Sequence, residues 1–177
     1  MPLIRPKDFC TSFFDIDFDS YLNKGFNTVL LDIDNTLAPY NNLVLSKEKK
    51  DFINKTRDKG MEIILFSNNS PINIKPLADD LGVKYFGHVY KPLPFGYYRV
   101  IKEFNLDKKR ILCIGDQLMT DSLGANLAGL YPIYVDPLTL IDKSITFFSR
   151  TFERFVFKYI YKRKHRFNKG YVDTKTN

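Results

Sequence analysis

Two carboxylates one residue apart, Asp32 and Asp34, follow the apolar run Val29, Leu30 and Leu31. A short apolar run of this kind reads as a buried strand, so both acids fall where the strand ends. Carboxylates this close repel each other and are costly to desolvate. Either they are exposed in a loop, or something positive sits between them. Other polar groups recur at the ends of other apolar runs: Ser67 with Asn68 and Asn69 after "EIILF", Lys91 beyond "VKYF", and "GDQLMTD" with Asp116 and Asp121 after "RILCI". Asp32, Asp34, Asp116 and Asp121 are hard oxygen donors and suit Mg²⁺ better than zinc. Such an ion would offset the repulsion, and it also seeks phosphate oxygens. Ser67 can donate to a phosphoryl oxygen, and Lys91 can neutralise charge on it. An aspartate beside a metal can attack phosphorus and form an aspartyl-phosphate. A second carboxylate can protonate the leaving oxygen and then activate water. This combination predicts phosphoryl transfer driven by positioning and electrostatics.

The elements that must position these groups alternate. Strands are predicted over Thr28–Ile33, Glu62–Phe66, Val83–Phe86, Arg110–Ile114 and Tyr131–Val135. Helices are predicted over Ser46–Lys59, ended by Gly60; over Ile72–Leu81, closed by Gly82; from Pro94 to about Asn105; and over Asp121–Ala128, stopped near Gly129. Strand and helix in alternation predict an α/β fold: a Rossmann-like three-layer sandwich with a five-stranded parallel sheet. In such sheets ligands bind beyond the carboxyl ends of the strands, where strand order reverses. Every polar group named above falls at such an end.

"DIDNTL", Ser67, Lys91 and "GDQLMTD" together resemble the four motifs of the haloacid dehalogenase superfamily of phosphatases, subfamily IIIA. "LLDIDNTL", "FSNNS", "KPLPFGYYRVIKEF" and "IGDQLMTDSLGANLAGLYPIYVDP" are similar, more narrowly, to the YqeG group, itself similar to mitochondrial phosphatidylglycerophosphate phosphatases. The resemblance spans Phe9 to Leu138. It implies that Asp32 is the nucleophile, Asp34 the acid/base, and that Ser67 and Lys91 hold the phosphate. It further implies that Thr36 supports the first loop and counts with Asn68 among the phosphate-site residues. Asp116 is implied to ligate Mg²⁺ with Asp32 and the Asp34 carbonyl, while Asp121 either binds metal through water or orients Lys91. Members of this superfamily select substrates with inserted cap domains. The intervals from Asp34 to Ser67 and from Ser67 to Lys91 are filled by predicted core elements, so no cap is expected. An open site suits a phosphate on a lipid surface, a protein or a nucleic acid.

An isolated Asp-x-Asp is ordinarily a solvated turn, and "DIDFDS" at Asp15–Ser20 reads that way, since no buried strand precedes it. It also fails as a calcium loop, with Ser20 where glycine and Phe26 where glutamate would be needed. His88 reads as a structural loop residue rather than a substrate contact. A phosphoacceptor signalling domain shares the fold class but requires its acids, hydroxyl and lysine in another order. An RNA-associated protein with a vestigial site is a further alternative.

The 177 residues, 44% hydrophobic and 15% aromatic, suffice for one folded core. Two cysteines, Cys10 and Cys113, and two histidines, His88 and His165, are too few for a Cys/His zinc site. No secretory leader and no run of 18 apolar residues is evident, so a cytoplasmic chain is expected. The net charge of +7 is concentrated: residues 150–169 hold eight Lys or Arg against one acid, Glu153. At helical spacing Phe148, Phe152, Phe155, Val156 and Tyr159 share a face, opposite Arg150, Arg154, Lys158 and Lys162. An aromatic face opposite a basic one predicts an interfacial helix touching an anionic membrane peripherally, at its inner face. Packing on the core, a second subunit and nucleic acid are the other uses of such a helix. The expected organisation is a lead-in packed on the core over 1–27, the phosphatase core over 28–140, and the basic aromatic helix and tail over 141–177.

Overall fold

The computed structural model describes residues 3–39 and 43–139. Its strands are β1 (Asp8–Cys10), β2 (Thr28–Leu31), β3 (Glu62–Phe66), β4 (Lys84–Phe86), β5 (Ile111–Gly115) and β6 (Tyr131–Val135). Its α-helices are α1 (Phe18–Asn23), α2 (Lys47–Asp58), α3 (Pro71–Leu81), α4 (Pro94–Glu103) and α5 (Leu123–Ala128). The strands form one sheet in the order β1-β6-β5-β2-β3-β4, and every pairing is parallel. The proposed interfacial helix, with Arg150, Phe152, Arg154, Phe155, Lys158, Tyr159 and Lys162, lies outside the described residues.

Central strands of a parallel sheet are covered on both faces and so read as unbroken apolar runs. All four residues of β2 and all five of β5 are buried. Alternation then sorts side chains into two layers. Val29, Leu31, Ile63, Leu65, Leu112 and Ile114 join Ile53 of α2 and Ile74, Leu77 and Leu81 of α3. Leu30, Ile64, Phe66, Ile111 and Cys113 join Tyr97 and Val100 of α4 and Ala125 and Ala128 of α5. Burial pushes the Cys113 thiol well up, as befits an inert packed side chain.

The sheet has six strands where five were expected. The sixth, β1, is three residues long and too short to show a period. Its extended form comes from pairing with β6, Asp8 opposite Ile133 and Cys10 opposite Val135. Phe13, Ile16, Phe18 and Tyr21 then bury against the first layer, and Phe13 meets Phe52 of α2 edge-on with ring centroids 5.7 Å apart. Only α2 and β3 lie within residues 43–66, and only α3 and β4 between Ser67 and Lys91, so among the described residues no cap domain intervenes.

Candidate active site

From β2 the chain moves outward to β3 and β4 on one side, then crosses back to β5 on the other side of β2, which makes the carboxyl end of β2 the point where strand order reverses. The last ladder contact there is the Asp32 N–H donating to the Ile114 carbonyl at 2.9 Å. Beyond it the chain curls: the Ile33 carbonyl accepts the N–H groups of Leu37 and Ala38 at 3.0 and 3.1 Å. The curl requires Asn35 in the left-handed region at φ 61°, which asparagine tolerates better than most residues. Asn35 is buried, and its side-chain oxygen accepts the Thr139 hydroxyl at 2.8 Å. This loop buries Asp32 and Thr36 and leaves Asp34 partly exposed. The Thr36 hydroxyl donates to Asp116 Oδ1 at 3.0 Å and so ties the first loop to the end of β5.

Lys91 enters from the loop after β4 and is 8% exposed. Its ammonium donates to Asp32 Oδ1 at 2.5 Å, Asp121 Oδ1 at 2.7 Å and the Phe66 carbonyl at 3.2 Å, so all three protons are engaged. Burial opposes the ammonium, but Asp121 and Asp32 outweigh it and hold the Lys91 pKa above its ordinary value. Asn68 fixes the backbone of the lysine: its Oδ1 accepts the Lys91 N–H at 2.7 Å and its Nδ2 donates to the Lys91 carbonyl at 3.3 Å. Ser67 Oγ accepts the Asn69 N–H at 3.1 Å, a local turn that leaves its own hydroxyl proton to donate. Asp121 Oδ2 accepts the Gln117 N–H at 3.1 Å. The carboxylate fits only because residue 115 is glycine, since a Cβ there would lie 2.2 Å from Asp121 Cγ.

Oxygens of Asp32, Asp116 and Asp121 lie within 4.8 Å of one another, all three residues buried. Three carboxylates thus face one ammonium. The Asp32 carboxyl is pushed up to about 8: burial raises it most, Lys91 lowers it, and Asp121 and Asp116 raise it again. Three buried carboxyl groups against one ammonium, all hard oxygen donors, form a donor set that suits a divalent cation.

The structure therefore brings Asp32, Thr36, Ser67, Asn68, Lys91, Asp116 and Asp121 together at the carboxyl end of the sheet, and Asp34, partly exposed, stands two residues after Asp32 in the same loop. Sequence reasoning missed three contributors: the Phe66 carbonyl, Asn35 with its left-handed backbone, and the space at Gly115. Of these, only Gly115 left a trace in the sequence, a glycine between an apolar run and an aspartate.

A parallel α/β sheet with three buried acids and a lysine at its switch point is an arrangement suited to phosphate chemistry. The chain belongs to the haloacid dehalogenase-like hydrolases, whose family description matches residues 14–129. It is a hydrolase of that family. It is 27% identical over 160 residues to the protein described as probable phosphatase YqeG of Bacillus subtilis (strain 168), covering 90% of this chain and 93% of the relative. It is 26% identical over 137 residues to phosphatidylglycerophosphate phosphatase 1, chloroplastic/mitochondrial, of Arabidopsis thaliana, covering 72% of this chain and 39% of that protein. Among solved structures, an uncharacterized protein from Listeria monocytogenes serotype 4b shares the fold, with a TM-score of 0.54, 20% identity, and coverage of 67% of this chain and 84% of that one.

Proposed function

We propose that this hydrolase is a Mg²⁺-dependent phosphatase, works through an aspartyl-phosphate on Asp32, and acts on an anionic lipid phosphate of the phosphatidylglycerophosphate type. The observation that carries the chemistry is the ion pair of Lys91 with Asp32 and Asp121 beside Asp116. In this reading Asp32 attacks phosphorus, the ester P–O bond breaks, and the leaving oxygen takes a proton from Asp34. Water then attacks the aspartyl-phosphate, gives its proton to Asp34, and releases inorganic phosphate from Asp32. Asp34 suits this exchange because it is the partly exposed member of the group. Lys91 and the Ser67 hydroxyl stabilise charge on the phosphoryl oxygens. Asp121, with one oxygen on Lys91 and the other on the Gln117 N–H, orients the lysine. Thr36 positions Asp116, and Asn68 positions Lys91 through its backbone. The cation, held by Asp32 and Asp116, would neutralise charge on the phosphate and on the acids around it.

The lipid substrate is supported by the name of the Arabidopsis relative, by the uncapped mouth and by the basic residues of 150–169. Among the described residues no helix is long and apolar enough to cross a membrane. The test is hydrolysis of a soluble aryl phosphate and of phosphatidylglycerophosphate vesicles, beside sugar phosphates, nucleotides and phosphopeptides. Activity should require Mg²⁺ and vanish with EDTA. Full turnover in excess chelator would overturn the metal, and preference for any other member of the panel would overturn the lipid.

A further inference from the structure

Among the described residues eight large apolar side chains are left in water, and four of them lie on two adjoining connections. Ile72 is 81% exposed, Tyr90 63%, Leu93 53% and Phe95 69%. They lie on the connections that follow β3 and β4, Ile72 and Phe95 in the first turns of α3 and α4. The two connections pack together: the His88 N–H donates to the Asn69 carbonyl at 2.9 Å, and a Cβ on Gly87 would lie 2.8 Å from the Pro71 nitrogen. A Cβ on Gly96 would lie 2.2 Å from the Val89 carbonyl oxygen, so the start of α4 presses on the same loop. Within it a turn closes with the Leu93 N–H donating to the Tyr90 carbonyl at 2.9 Å. That turn divides its side chains. Lys91 goes inward to Asp32 and Asp121, while Tyr90 and Leu93 stay outside with Phe95. Single exposed apolar residues are ordinary, but a group of them on adjoining loops marks an interaction surface.

A second observation bears on what that surface meets. The Leu138 N–H donates to the Asn35 carbonyl at 2.9 Å, and the Thr139 hydroxyl to the Asn35 side chain at 2.8 Å. Asn35 stands between Asp34 and Thr36, so the last described residues, Leu138 and Thr139, are tied to the first loop of the site. By sequence the residues beyond Thr139 contain the segment with eight basic residues and one acid. An apolar rim beside the site, in a chain whose sequence also carries a strongly basic segment after Thr139, matches the two properties of an anionic bilayer, its hydrocarbon and its surface charge.

We propose that Tyr90, Leu93 and Phe95 form a docking rim that enters the interface of an anionic phospholipid bilayer and turns the Lys91–Asp32 site toward headgroup phosphates. The proposal rests on the lipid-phosphatase reading above and adds the surface that would serve it. Lys91 and the rim sit on one loop, so docking fixes the distance between the bilayer and the phosphate site. Occupancy by a second copy or by residues 140–177 would hide the rim from lipid.

The chain contains no tryptophan, so Phe95→Trp places a single reporter on the rim. With vesicles of phosphatidylcholine and phosphatidylglycerol, its emission should shift to the blue and be quenched by lipids brominated in the acyl chain. Phosphatidylcholine alone should do neither. In the full chain, the triple variant Tyr90→Ser, Leu93→Ser and Phe95→Ser should sediment with anionic vesicles at least about tenfold less strongly, since each large apolar side chain withdrawn from water is worth that much. Its melting temperature should hold, and its turnover of a soluble aryl phosphate should stay within about twofold. Vesicle binding by the Phe95→Trp variant with its emission unquenched would overturn the rim, as would emission already blue-shifted without vesicles. Inactivity of the wild-type protein toward the aryl phosphate would instead overturn the enzymatic reading, whatever the rim does.

Discussion

The tripeptide Asp-Ile-Asp occurs twice, at Asp15–Asp17 and at Asp32–Asp34. In both copies the isoleucine is buried, and Ile16 and Ile33 belong to the same apolar layer. The acids part company. Asp15 ends a short 3₁₀ turn, and Asp17 caps α1 by accepting the Ser20 N–H at 3.2 Å, both exposed to water. Asp32 follows a central strand, is buried, and meets a lysine from the loop after the edge strand β4. Identical local chemistry thus becomes a helix cap in one place and a charge cluster in the other. What differs is whether neighbouring strands exclude water from the carboxylate and supply a cation in its stead.

That contrast can be broken by substitution. Asp32→Asn should lower kcat on an aryl phosphate by several orders of magnitude, because it removes the nucleophile and a metal ligand together. Activity near wild type would move the chemistry to other acids. Lys91→Ala should cost roughly 10²- to 10³-fold in kcat, the range for loss of one preorganised donor. An unchanged kcat would assign the lysine to folding alone.

A smaller effect concerns pH. The Asp32 pKa rises from 3.8 to about 8 on burial, so the folded chain holds this proton more tightly than the unfolded one. Its contribution to stability is therefore complete below the unfolded value and is lost as pH rises through about 8. In chelator the melting temperature should fall over that window, and added Mg²⁺ should raise it more at the upper end, where no proton competes with the ion. An Mg²⁺ effect independent of pH would show that Asp32 is already ionised without the cation. The smallest effect belongs to the first tripeptide. Asp17→Ala should cost about 1 kcal/mol of stability as a lost helix cap, with kcat unchanged, and Asp15→Asn should be within about 0.5 kcal/mol of wild type. A catalytic defect in either would erase the distinction between the two copies.

Much of the scaffold is legible in the chain because apolar runs and helix stops are local signals. β3 and β6 begin and end where the pattern predicts, and Gly82, left-handed at φ 61°, closes α3 as expected of a helix-ending glycine. Other boundaries moved where long-range contacts intervene. β2 ends at Leu31 rather than Ile33 because the Ile33 carbonyl is taken by the curl of the first loop. The predicted helix from Asp121 begins as a π-helical turn over Leu118–Ser122, which carries the carboxylate that meets Lys91.

The sequence by itself determined the alternating elements, the parallel sheet they imply and the polar groups at its carboxyl end, because hydrophobic period and residue type are properties of neighbours along the chain. Only the tertiary structure decided how those groups are used. That Asn68 holds the Lys91 backbone, that Thr36 donates to Asp116, and that Asp121 shares the ammonium with Asp32 all depend on contacts between residues 23 to 80 positions apart. The same holds for β1, which exists because β6 offers it a ladder. Hydrogen bonds and ion pairs are set by distances of a few ångströms, and across such sequence separations those distances are known only once the sheet has closed.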